Sequence, residues 1–118
     1  MVDLLKQLID ENYHGGYIYI NVPSKYEYLF EALKDYKITT NIDLFKEFDI
    51  IIENALTSDL ISKLNRINAF KISLNIPSGI NPKNGLKSTI TFKTNVVVEV
   101  DYNDGLYLND ARDYYDSI

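Results

Sequence analysis

The hydrophobic period changes along this chain. Near the start, Leu4, Leu5, Leu8 and Ile9 recur at helical spacing, so residues 2–12 read as a helix that Gly15-Gly16 stops. Tyr17–Val22 follows as a strand, with Ile18, Ile20 and Val22 on one face and Tyr17, Tyr19 and Asn21 on the other. Pro23 ends it. Ser24 and Glu27 form a capping box ahead of Leu29, Phe30 and Leu33, which predicts a helix over about 24–36. Thr57 or Ser58 caps another helix carrying Leu60, Ile61 and Leu64.

In the last third the period drops to two. Phe70, Ile72, Leu74 and Ile76 alternate with Lys71, Ser73 and Asn75. Ile90 and Phe92, then Val96, Val98, Val100 and Tyr102, form further inner faces, which predicts an antiparallel meander over 68–102. Asn103-Asp104-Gly105 is a hairpin signal leading to a short return strand at Leu106–Leu108, and Asn109 caps a last helix. Helices early and strands late predict one domain over residues 1–118 of the α+β class. Its expected form is two-layered, with helices packed on one face of a mostly antiparallel sheet of about 4–5 strands.

Two rules collide over residues 44–55. Leu44, Phe45, Phe48, Ile51, Ile52 and Ala55 fit the helical period, which predicts a helix capped by Thr40 or Asn41. Ile50-Ile51-Ile52 points instead to a buried strand, and in that case the fold moves toward alternating α/β; periodicity over a dozen residues outweighs a short β-branched run, so a helix is expected.

Several chemistries are excluded by what the chain lacks. With no cysteine among 118 residues it has no disulfide, thiolate nucleophile or Cys-ligated metal. His14 is the single histidine and sits in a helix-to-strand turn, so neither a Cys–His dyad nor a multi-histidine metal site can form. No Gly-x-Ser-x-Gly elbow is present. Gly79–Ser88 has two glycines and two lysines, but five residues separate the glycines and Leu86 intervenes before Lys87, and a strand rather than a helix is expected next. A phosphate loop is therefore not expected. Asp101–Gly105 begins like a calcium loop, yet Gly105, Leu106 and Arg112 stand where Asp or Asn, Gly and Glu are needed. No cofactor, metal or enzymatic activity is expected. The N-terminus has no basic start followed by an apolar run, and no apolar stretch approaches a membrane span, so a cytoplasmic protein is expected. Abundant Ile, Asn, Tyr, Lys and Asp is the usage of AT-rich coding, consistent with a low-GC bacterium, its phage or a mobile element.

Charge is distributed unevenly. Residues 1–98 balance 11 Lys/Arg against 11 Asp/Glu, so the whole net charge of −5 falls in residues 99–118. There Glu99, Asp101, Asp104, Asp110, Asp113 and Asp116 face one base, Arg112. On a helical wheel Ala111, Tyr114, Tyr115 and Ile118 share one side and the aspartates the other. Together with Tyr102 and Tyr107, these acids form the expected partner-binding surface. It suits a protein with a basic surface, and the acidic balance argues against direct nucleic-acid contact. A small inhibitor of a basic, nucleic-acid-binding protein, of the DNA-mimic or anti-CRISPR kind, has this profile. A toxin-neutralising immunity protein and a small phage assembly component are the alternatives. A monomer or dimer is favoured.

Overall fold

A computed structural model describes residues 1–118. Its centre is a five-stranded sheet in which every pairing is parallel. The chain runs α1 (Val2–Asn12), β1 (Tyr17–Asn21), α2 (Tyr28–Ala32), β2 (Ile38–Thr39), β3 (Phe48–Glu53), α3 (Ser58–Asn65), β4 (Phe70–Leu74) and β5 (Val96–Val98). Four 3-10 segments join these elements, at Ser24–Tyr26, Ile42–Glu47, Asp104–Tyr107 and Asn109–Tyr114. The strand order is β2-β1-β3-β4-β5, so the chain reverses direction across the sheet between β1 and β3, as doubly wound sheets do.

This overturns the antiparallel sheet. The decisive element is the stretch over 44–55 expected to be a helix, which is instead a 3-10 segment leading into a strand. Residues 48–53 are a strand, and Ile50, Ile51 and Ile52 are all fully buried. Consecutive side chains on a strand point to opposite faces, so three buried neighbours require cover on both. One face carries α1 and α2. Leu5, Ile9, Leu29 and Leu33 pack there on Ile18, Ile20, Ile50, Ile52, Ile72 and Leu74. The other carries α3 and the segment around Phe92, with Ile61, Leu64 and Phe92 packed on Tyr19, Phe48 and Ile51. Helices therefore cover both faces, not one.

The helical period over 44–55 has a physical source. A 3-10 segment, N-capped by Asn41, runs directly into a strand that carries an irregularity at its start. Tyr17 pairs with Phe48 and Ile18 with Ile50, so Asp49 is the extra residue. The bulge turns Phe48 to the same side as Ile51, which imitates a spacing of three, and Tyr19 stacks on Phe48 at 4.9 Å. Asp49 accepts from the backbone N–H groups of His14 (2.7 Å) and Gly16 (2.8 Å), and so fixes where β1 enters the sheet. A Cβ at Gly16 would strike the Glu47 carbonyl and the Asp49 carboxylate.

The 68–102 meander is also corrected. Ile72, Leu74, Phe92 and Val98 are buried as expected, but Phe70 and Ile90 are half-buried and Val100 is exposed. β4 and β5 are parallel, and the 21 residues between them contain no strand beyond an isolated Ile80–Lys87 bridge. Phe92 fills the place a crossover helix would occupy. Val97, which alternates with the expected inner face of Val96 and Val98, is fully buried as well. Residues 103–108 form a capped 3-10 turn rather than a hairpin and return strand. The expected last helix is a 3-10 segment followed by extended chain, whose Ser117 bridges Val96 in parallel along the outer edge of β5. The helix expected over 24–36 is split into Ser24–Tyr26 and the five-residue α2, and no side-chain cap forms at Ser24.

Two-sided burial makes a direct forecast. Ile50→Ala and Ile51→Ala, on opposite faces, should each lower the unfolding free energy by about 2–5 kcal/mol, and the exposed Ile118→Ala by under about 0.5 kcal/mol. Urea denaturation of the three variants measures this. A sheet with one open face would leave one of the first two nearly silent.

Candidate functional site

The acidic segment leaves the sheet at the carboxyl end of β5, where Asn75 shapes it. Asn75 has φ of 72°, a left-handed conformation that asparagine tolerates better than most residues. Its backbone N–H donates to the Val98 carbonyl (2.8 Å). Its side-chain oxygen accepts from the N–H groups of Val100 (3.3 Å) and Asp101 (2.9 Å). Asn103 Nδ2 donates to the Asn75 carbonyl (3.0 Å), while Asn103 Oδ1 caps the following 3-10 turn through Leu106 N–H (3.0 Å). These bonds gather Glu99, Asp101, Tyr102, Asp104 and Tyr107 at one end of the molecule. The rings of Tyr102 and Tyr107 stack at 6.0 Å and 20°, with Tyr102 75% exposed. Asp104, as hydrogen-bond acceptor and as neighbouring charge, pushes the Tyr102 hydroxyl pKa up, and Glu99 does the same to Tyr107.

The long loop after β4 supports this platform from below. Asn81 and Asn84 close two local turns by accepting from Lys83 N–H (2.8 Å) and Leu86 N–H (2.9 Å). Gly85 has φ of 74° and lies against the Leu108 carbonyl, where a Cβ has no room. Gly105 N–H donates to the Pro82 carbonyl (2.7 Å), and Asn109 Nδ2 to the Asn84 carbonyl (2.6 Å). Of nine exposed large hydrophobic side chains, five (Leu86, Val100, Tyr102, Tyr107 and Leu108) belong to this loop and platform, so apolar exposure is concentrated there.

The remaining expected acids sit elsewhere. Asp110 accepts from Lys87 N–H (3.1 Å) and helps close the loop. Asp116 accepts from Asn95 Nδ2 (3.1 Å), at the amino end of β5, opposite the tyrosine pair. Asp113 is exposed between them. Of the expected acids, Glu99, Asp101 and Asp104 lie in the segment that carries the tyrosine pair.

A polar cluster that the sequence reading missed lies at the carboxyl end of the central strand. Doubly wound sheets hold ligands outside that end, where the strand order reverses. Here the crevice is closed. Asn54 N–H donates to the Asn21 carbonyl (3.1 Å), Asn54 Nδ2 to the Leu74 carbonyl (2.7 Å), and Leu56 N–H to Ser78 Oγ (2.8 Å). Glu53, fully buried, accepts from both the Ser73 and Ser78 hydroxyls and from Ser78 N–H (3.2 Å). Its only sequence signal is an acid ending an isoleucine run. No cavity opens onto it.

No three His, Cys, Asp or Glu side chains converge as a metal site would require, and no helix is long and apolar enough to cross a membrane. Compared with protein-family models, curated proteins and solved structures, the chain matches none.

Burial raises the Glu53 pKa to about 7, outweighing the serine hydroxyls and the Ser78 amide, which lower it. The folded value lies above the unfolded one, so the folded state holds the proton more tightly. This stabilisation is complete below the unfolded carboxyl range near pH 4.5 and is lost as pH rises toward 7. A shift of this size corresponds to roughly 3 kcal/mol. Urea midpoints measured from pH 4.5 to 8 should fall with rising pH in the parent, and Glu53→Gln should remove most of that slope. Parallel profiles would show that Glu53 does not titrate in this window.

Proposed function

We propose that this chain is a non-catalytic binding protein that docks a basic protein surface on its tyrosine platform. The observation that carries this reading is the stacked, exposed Tyr102–Tyr107 pair flanked by Glu99, Asp101 and Asp104. Tyrosine supplies contact area at low entropic cost and is enriched among the residues that dominate interface energies. Carboxylates around the rings steer a cationic partner and disfavour neutral ones. A partner that normally grips phosphates presents such a cationic surface, so the role is inhibition of a nucleic-acid-binding protein by occupying that surface. The inhibitor is cytoplasmic, in the cell where that protein works.

The platform is held by backbone geometry, and this separates contact from support. Glu99→Lys, Asp101→Lys and Asp104→Lys together change contacting charge at exposed positions, with a folding cost within about 0.5 kcal/mol each. Asn75→Ala removes no exposed contact but releases the turn that aligns the rings.

The test is affinity capture from the cells that carry the gene, using parent and variants at low and high salt. The expected partner is basic, is retained by the parent at low salt, and is released as salt screens charges beyond about 8–10 Å. The triple reversal should lose it, and Asn75→Ala should weaken it. A partner held equally by the folded triple reversal would move the interface away from the platform.

A further inference from the structure

The largest cavity lies at the opposite end of the molecule from the platform. It is a groove of about 580 Å³ between the 3-10 segment Ile42–Glu47 and the carboxyl end of α3, over the first residue of β3. Since the strands are parallel, residues preceding β3 and β4 share the amino end of the sheet, while Glu99–Tyr107 follow β5 at the carboxyl end. Its apolar walls are Ile42, Phe45, Phe48 and Ile67, and Phe45 is 44% exposed beside it. Lys46, Lys63 and Arg66 stand around those walls.

The charge here is opposite to that of the chain as a whole. Three cations meet a single acid, Asp43, in a protein of net charge −5. None of the three is in an ion pair: the protein's one salt bridge is Lys34–Glu31, on α2 and its flank. Lys46 Nζ lies 6.0 Å from the Phe45 ring centre, a weak local contact that leaves its donors free. Unpaired cations beside an open apolar wall complement a ligand that is both hydrophobic and anionic. The volume falls within the roughly 300–1,000 Å³ of small-molecule sites.

We propose that this groove binds a small organic anion, a flat apolar body bearing a carboxylate, sulfonate or phosphate. The body lies against Phe45, Phe48 and Ile67, and the anionic group is held by Lys63 of α3 and Arg66, which follows it, with Lys46 facing them. Arg66 supplies a planar fork suited to two oxygens of one anion, and the lysines act as mobile point charges. The site is independent of the tyrosine platform and does not rest on the docking reading.

The probe is 8-anilinonaphthalene-1-sulfonate, with neutral N-phenyl-1-naphthylamine as its uncharged counterpart. Fluorescence titration of the native protein should show one saturable sulfonate site, and the neutral compound should bind roughly tenfold more weakly. Lys63→Gln with Arg66→Gln, at exposed positions, should weaken sulfonate binding by about the same factor while leaving the neutral compound unaffected. Phe45→Ala should weaken both. Lys25→Gln with Lys83→Gln, away from the groove, should change neither. Amide shift perturbations should fall on residues 42–48 and 63–68. Competition by an acidic peptide but by no small carboxylate or phosphate would assign the groove to a protein segment and overturn the proposal. So would absence of saturable binding below about 1 mM, undiminished binding by the Gln pair, or perturbations elsewhere.

Discussion

The fold depends on β3 being buried on both faces. Five of its six side chains, all but Asp49, are inaccessible. A strand of that kind cannot sit in a sheet with one wet face, so chain must pass over both sides. Crossing from β2 to β3 brings Ile42–Glu47 over one face, while α1 and α2 close the other. Parallel pairing with β1 and β4 follows, because each connection returns to the same end of the sheet.

The same strand decides what its carboxyl end can do. Glu53 continues the buried run as a polar residue, and Ser73 and Ser78 satisfy it. Ser78 lies near the start of the long excursion between β4 and β5, so the carboxylate ties that excursion to the sheet. The crevice where doubly wound sheets receive ligands is consequently closed, and the exposed chemistry lies at the periphery. The excursion supports a tyrosine platform at the carboxyl end, and the segments entering β3 and β4 leave a cationic groove at the amino end. An overall charge of −5 conceals this separation of sign.

How much was legible in the sequence follows from how local each signal is. α1, β1, α3 and β4 lie close to where periodicity puts them, since a single stripe or face carries each. Ile50–Ile52 carried a correct strand signal that the bulge at Asp49 obscured by lending Phe48 and Ile51 a helical spacing. Pairing direction was not legible. Alternation in Phe70–Leu74 and Val96–Val98 says which faces are apolar, and nothing about whether 21 intervening residues turn back at once or return to the starting end. Asn103-Asp104-Gly105 is a strong turn signal, but Asn103 spends its side chain on a 3-10 cap and on Asn75, a residue 28 positions away. Of the candidate site, the acids and tyrosines were readable from charge. The partners of these acids were not, because they depend on Asn75, on the long loop and on the docking of Ser117 beside Val96. Glu53 was hidden because an acid bonded to two serines in tertiary structure leaves no local pattern.

Residue-resolved native-state hydrogen exchange tests the two-sided central strand most directly. The backbone amides of Ile50, Ile51 and Ile52 should all exchange only through global unfolding, with one common free energy and one denaturant dependence, while those of residues 99–108 open at lower free energy. Exchange of any of the three through a separate low-energy opening would show that the central strand lies outside the common buried core and would contradict the account.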